Sequence, residues 1–405
     1  MTDRRPSSAG IPLPAGDGDP AVVMELLAEL NTTGPSALIA RMLGALSRAT
    51  AVTGLRLLIV NLEETHLEVR ETLTAGTVAT GEPIPLDATP HGEAYRTGEV
   101  RAFPRPESTV VAPVSAGKSR EGVLEARLSR PATAGEVATI ASVANLAGYL
   151  ITAADRWTDE FHLTRRTKPM ALAAEIQWGL LPLSAFSSSD IAVAGALEPA
   201  YDVGGDAFDY ACGTEDLFGG VFDAMGHGLR AARLSGFAMA VYRNARRAGA
   251  DLASQGRALH EALIGTFPHE GYVTGTLVQI DLAAPERSRI VRAGHPPPLV
   301  HRGSGPAQAI EVDGSLPFGV PFANAVRPQP LALSSGDRLV LYSDGVTEAR
   351  PDAGELFGPS RLARALHEVR GLAPREAARD VIRRVRSHRG SELTDDATLL
   401  VIDIP

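Results

Sequence analysis

The chain has 405 residues, 44% of them hydrophobic and 21% charged, which suits a soluble globular protein of two domains. Its net charge of −9 argues against a nucleic-acid footprint or an anionic membrane as partner. Cys212 is the single cysteine, which excludes an intramolecular disulfide framework and any cysteine-rich zinc site.

Met1 to Asp19 are rich in Pro, Gly, Ser and charge and hold no apolar signal-peptide stretch, so they read as a mobile tail. The first region, about Ala21 to Trp157, opens with an amphipathic pattern from Val22 to Leu30 that predicts a helix. A second spans Pro35 to Thr50, with Leu38, Met42, Leu43 and Leu46 at helical spacing. Strand-like runs follow at 55–60, 66–70, 110–114 and 122–128. A long helix opens near Ala134. Val137, Ile140, Ala144, Ala147, Ile151, Ala154, Thr158 and Phe161 recur along it in steps of three and four, a stripe that buries a seam. Core packing accounts for its first half and a homodimer seam for its second, until Pro169 breaks the helix. The apolar segment Ser142–Ala154 is too short to span a bilayer, which fits a cytoplasmic protein.

A further helix runs from Met170 to Leu181, with Ala173, Ile176 and Leu180 on one face and Pro182 as its stop. Ser184 to Asp190 reads as a loop. From Ile191 onward come short apolar runs at 191–197, 217–222, 275–280, 288–292, 338–342 and 397–404. Helical stretches interrupt them at 228–248, 251–266, 360–369 and 374–387. Strands, paired helices, then strands again suggest an α+β sandwich with helices over its faces.

Four aspartates carry the chemistry. Asp206, Asp223, Asp344 and Asp395 each lie at the edge of a strand-like run beside a glycine or a second acid, which is expected to place them on loops where they converge. Two carboxylates about 4 Å apart repel by roughly 4 kcal/mol at an effective dielectric near 20, so such a site needs protons or cations. Oxygen ligands without cysteine point to Mg²⁺ or Mn²⁺, and hence to a metal-dependent hydrolase.

These residues stand in an order that resembles the SpoIIE-type branch of the metal-dependent protein serine/threonine phosphatases, the PPM family. The motifs are Gly204-Gly205-Asp206-Ala207-Phe208-Asp209, Asp223-Ala224-Met225-Gly226-His227-Gly228, Ala293-Gly294-His295-Pro296-Pro297, Ser343-Asp344-Gly345 and Asp395-Asp396-Ala397-Thr398. The resemblance implies a β-sandwich of α-β-β-α layers holding two Mn²⁺ or Mg²⁺ ions. Asp223 bridges both, Asp206 and the Ala224 carbonyl complete one, and Asp344 and Asp395 complete the other. It implies hydrolysis of phosphoserine or phosphothreonine by a metal-activated water, with no protein nucleophile. Cys212 is then a small structural residue.

Asp209 is expected either beside a metal water or as a solvated loop acid. Asp396 competes with Asp395 as ligand. His227 reads as a rim proton donor or a turn residue, and His295 as a turn residue in preference to a catalytic acid. Ala207-Phe208 and Ala224-Met225 depart from the family pattern and are expected to alter the cleft wall. Gln177-Trp178-Gly179-Leu180-Leu181-Pro182 resembles the helix that precedes this domain in relatives, where it looks like a switch element; a plain connector is the other reading.

The first region resembles a GAF sensor domain, through Pro83-Ile84-Pro85-Leu86 leading into 91–99, the 110–128 hairpin and the long closing helix. The resulting layout is a tail at 1–19, a GAF-like domain at 20–155, a helical linker at 156–183 and the phosphatase-type domain at 184–405. The implied substrate is a phosphorylated anti-sigma-factor antagonist in a partner-switching pathway. An inactive signalling scaffold of the same fold is the alternative.

Overall fold

The structure is a computed structural model that describes residues 11–12, 19–29, 35–74, 77–78, 81–103, 108–198, 201, 204–268, 270–321, 326–351, 354–390, 393 and 395–405. The predicted tail falls mostly outside these residues. The chain forms two compact units, Met1–Lys168 and Pro169–Pro405.

The first unit begins with β1 (Ile11–Pro12), α1 (Pro20–Glu29), α2 (Pro35–Ala49), β2 (Val52–Val60), β3 (His66–Thr74), β4 (Thr77–Val78) and β5 (Ile84–Pro85). It continues through α3 (Pro90–Thr97), β6 (Arg101–Phe103), β7 (Ser108–Ala116), β8 (Ser119–Leu128), α4 (Ala134–Ala154) and α5 (Glu160–Arg165). Its antiparallel sheet runs β1-β6-β7-β8-β2-β3-β4, with β5 also on β3. Alternation along the central strands divides the side chains. Leu55, Leu57 and Ile59 face α1, α2 and α4 in one core, while Leu58 and Val60 join Tyr95 of α3 in another.

The long closing helix is shorter than its stripe predicts. α4 ends at Ala154, and the chain turns before α5. Arg165 bonds Asp155 (2.9 Å) and Glu121 (2.6 Å), fixing α5 back against the sheet, and Phe161 enters the same core as Val137, Ile140, Ala147, Ile151 and Ala154. The second half of the stripe thus packs largely inside its own unit, with Ile151, Ala154 and Phe161 all buried. The apolar segment also extends beyond Ser142–Ala154. Among the described residues α4, with 21 residues, is the one helix long and apolar enough to cross a membrane. Its buried face packs over the sheet as a core helix.

The second unit begins with α6 (Leu172–Leu180), β9 (Ala185–Ser187), β10 (Ala192–Glu198), β11 (Asp206–Cys212), β12 (Asp216–Ala224), α7 (Gly228–Arg247) and α8 (Leu252–Thr266). Then come β13 (Val273–Asp281), β14 (Ser288–Ala293), β15 (Leu299–His301), β16 (Gln308–Ala309), β17 (Gln329–Leu331) and β18 (Arg338–Tyr342). It closes with α9 (Asp344–Glu348), α10 (Gly358–Glu368), α11 (Pro374–Arg389) and β19 (Ala397–Asp403). One antiparallel sheet runs β16-β15-β18-β19-β10-β9 and the other β11-β12-β13-β14-β17. Ser184–Asp190 is thus not wholly a loop, because β9 pairs with β10 there.

Three cores define the layers. Val193, Phe208, Val221, Val278, Leu341 and Leu400 fill the space between the sheets. Phe222, Leu234, Tyr242 and Leu277 join the second sheet to α7 and α8. Val340, Leu366, Val381 and Leu399 join the first to α10 and α11. The fold is α+β, with α-β-β-α layers in this unit.

Candidate functional site

Asp206 opens β11 and lies directly opposite Asp223, near the end of β12. They stand in strands, not on loops as predicted. Alternation puts both on the face that carries Phe208 and Val221, toward the space between the sheets. In the facing sheet, Asp344 follows β18 and Asp395-Asp396 precede its neighbour β19, so all five acids gather at one end of the sandwich.

The junction is pinned by Asp396. Its Oδ2 accepts from Gly205 N (2.7 Å), Asp206 N (3.0 Å) and Gln177 Nε2 (3.1 Å). Gln177 Nε2 also donates to the Asp206 carbonyl (2.6 Å), which fastens α6 to the same place. Asp395 differs sharply: it is exposed, and its Oδ1 accepts only from the following backbone N–H among the described residues (3.0 Å). Gly345 allows this closeness, since a Cβ there would lie 1.9 Å from the Asp396 carbonyl oxygen.

Burial and mutual repulsion hold the carboxyls of Asp206, Asp223, Asp395 and Asp396 above their ordinary range. Burial raises Asp206 well above it, reinforced by the charges of Asp223 and Asp396. Asp223 is pushed up to about 7 by burial and by Asp344 and Asp395, against a lowering bond from Thr274. Burial likewise lifts Asp396 to about 6, although its backbone donors oppose the rise. Partial desolvation by its neighbours raises Asp395 too, surface-exposed as it is, against the lowering bond from the Asp396 backbone N–H.

Residues 215–405 match the family model of stage II sporulation protein E, SpoIIE. The second unit carries a SpoIIE-family domain. The match begins after Asp206 and spans Asp223, Asp344, Asp395 and Asp396; the family is one of protein serine/threonine phosphatases of the PPM type. Solved structures that resemble the chain include the following three. The RsbU and RsbW domains of Rv1364c from Mycobacterium tuberculosis are 24% identical, over 53% of this chain and 60% of that one, with a TM-score of 0.47. The SiaA-PP2C domain of Pseudomonas aeruginosa is 22% identical, over 57% and 94%, at 0.49. The PP2C phosphatase domain and a regulatory fragment of SpoIIE from Bacillus subtilis are 22% identical, over 54% and 64%, at 0.44. The chain covers less than two thirds of the first and third of these.

Within the SpoIIE-type domain the acids fit divalent cations. The donors are oxygens, suited to Mg²⁺ or Mn²⁺. Asp206 Oδ2 and Asp396 Oδ1 are buried without hydrogen-bond partners. The Ala224 carbonyl oxygen lies 3.2 Å from where a Gly205 Cβ would stand, so only glycine leaves that space open. Among the described residues no group of three or more His, Cys, Asp or Glu is arranged to hold an ion as the side chains stand.

Other expected site residues sit elsewhere. Asp209 neither faces the acids nor is solvated. Three residues after Asp206, it points to the opposite face of β11, where Arg243 and Arg246 each bond it at 2.7 Å. Ala207 and Phe208 are buried in separate cores and line no cleft wall; of the four departing residues only Met225 is exposed. His227 caps α7 through its backbone and is exposed. His295 is buried, and burial pushes its ring down to about 3, so it stays neutral and is no proton donor at physiological pH. Burial raises the Cys212 thiol, consistent with a structural residue.

Thr274 escaped sequence reasoning. It lies opposite Asp223 across β12 and β13. Its hydroxyl is 3.3 Å from Asp223 Oδ2 and 2.9 Å from His295 Nδ1. With its one proton assigned to the carboxylate, His295 Nδ1–H is the donor to Thr274. Only strand pairing, which the sequence does not state, would have found it.

Proposed function

We propose that the chain is a cytoplasmic, Mn²⁺- or Mg²⁺-dependent phosphatase acting on phosphoserine or phosphothreonine of a regulatory protein. The gathering of Asp206, Asp223, Asp344 and Asp395 in a SpoIIE-type domain carries this reading. Asp206, Asp223 and the Ala224 carbonyl would hold one ion, and Asp223, Asp344 and Asp395 the second. When bound, such ions polarise a phosphoryl group and activate the water that attacks it.

The chain's own residues supply the rest. Thr274 and His295 orient Asp223. Asp396 fixes β11 against β19 and leaves Asp395 free to face the ion. Exposed Met225 and Leu229, on either side of His227, offer apolar contact to a protein substrate. A phosphorylated anti-sigma-factor antagonist is the proposed substrate and the first unit the proposed GAF-like sensor. Gln177 gives α6 a bond to the acid junction, which supports the switch reading over a plain connector.

The test measures phosphate release from an aryl phosphate and from a phosphoserine protein, with and without Mn²⁺. Asp344→Asn should lower the Mn²⁺-dependent rate by about a hundredfold or more. Equal rates in wild type and variant would overturn the metal-dependent reading. Partner binding without turnover would favour the scaffold.

A further inference from the structure

Residues 358–390, the α10–α11 hairpin, carry nine arginines against three acids, a local charge of +6 in a chain of −9. Along the seam of the two helices lies a groove of about 530 Å³, lined by Phe357, Arg361, Arg364, Glu368, Arg383 and Arg384. Phe357 is buried and gives it an apolar floor, while exposed Leu356 stands next in sequence. No residue of the metal-type site lines it.

The arginines are already aligned for carboxylates. Arg361 bonds Glu355 at 2.9 Å, Arg384 bonds Asp380 at 2.6 Å and also Glu368, and Arg383 bonds Asp380. Glu355 is 84% exposed and Glu368 46%, so these solvent-washed pairs contribute little and exchange readily. Arg364 is exposed and has no ion pair or hydrogen bond among the described residues. Its planar fork matches a carboxylate in two parallel bonds.

We infer that this groove docks an acidic segment of a partner protein that also brings an apolar side chain to the Phe357 floor. Charge complementarity favours that occupant, and several separated forks suit a string of carboxylates better than one small anion. The chain's overall negative charge disfavours a nucleic acid. The inference stands apart from the phosphatase reading, because it needs neither the aspartates nor turnover.

Fluorescence anisotropy on the full chain tests it, with a labelled twelve-residue Glu/Leu peptide, its Gln/Leu counterpart and a twelve-nucleotide DNA strand as probes. The acidic peptide should bind saturably, and Arg364→Glu should weaken it about tenfold. Arg364→Lys, which keeps the charge and loses the fork, should weaken it less. Arg289→Glu, an exposed charge reversal on β14, should leave binding unchanged. Superimposable melting curves would show that the variants fold. No binding by wild type, equal binding of the Gln peptide, equal loss in the Arg364 and Arg289 variants, or tighter binding of DNA would each overturn the proposal.

Discussion

Asp395 and Asp396 are adjacent and identical in chemistry, yet their surroundings give them opposite work. Asp396 is buried and answers donors from Gly205, Asp206 and Gln177, so its removal leaves buried N–H groups unpaired. Each orphaned donor costs about 1–3 kcal/mol. Asp396→Ala should therefore lower the unfolding free energy by several kcal/mol, read as a reduced urea midpoint. Asp395→Asn touches only a local backbone bond and should leave the unfolding free energy within about 0.5 kcal/mol of wild type. It should nonetheless abolish Mn²⁺-dependent phosphate release. The reverse pattern, a destabilised Asp395→Asn and an inactive but stable Asp396→Ala, would exchange their roles.

Between elements, pairing decides which charges matter, and that is where the sequence is least legible. Glu125 on β8 stands directly opposite Arg56 on β2, bonded at 2.7 Å, and His91 reaches it from α3 at 2.5 Å. Burial alone would raise its carboxyl, but His91 and Arg56 outweigh burial and hold it down at about 2, from an ordinary 4.5. A depressed folded-state pKa adds stability that is complete above pH 4.5 and is lost as pH falls toward 2. The span is worth about 3 kcal/mol. Glu125→Gln should flatten that part of the first unit's acid-unfolding curve; an unchanged curve would show that the pair stabilises nothing. No periodicity announces such a pair. Continuous apolar runs made β18 and β19 readable, and helical spacing did the same for α7 and α8. β11 went unread because Asp206, Asp209 and Cys212 interrupt its pattern. The end of α4 was missed because the stripe continues across a turn that only Arg165, packing back on Asp155 and Glu121, makes visible. The acid motifs were legible as a set; the partition between Asp395 and Asp396, and the part of Thr274, depended on strand register.

At the scale of the molecule, two units with separate cores should unfold separately, and only the second has a reason to respond to metal. Its acids stand in mutual repulsion, directly so across β11 and β12, where Asp206 faces Asp223. An ion that binds the folded unit alone stabilises it by about 2.7 kcal/mol at a hundred times its dissociation constant. For a unit of this size that corresponds to roughly 5–10 °C in Tm. Calorimetry should thus resolve two transitions, one rising with Mn²⁺ and one indifferent to it. Asp223→Asn makes the argument sharper, because it removes a like charge as well as a shared ligand. Its metal-free transition should rise, since repulsion is relieved, while the Mn²⁺-dependent shift disappears. A variant that is destabilised without metal, or that keeps the full shift, would mean that Asp223 is not at the centre of the cluster's charge.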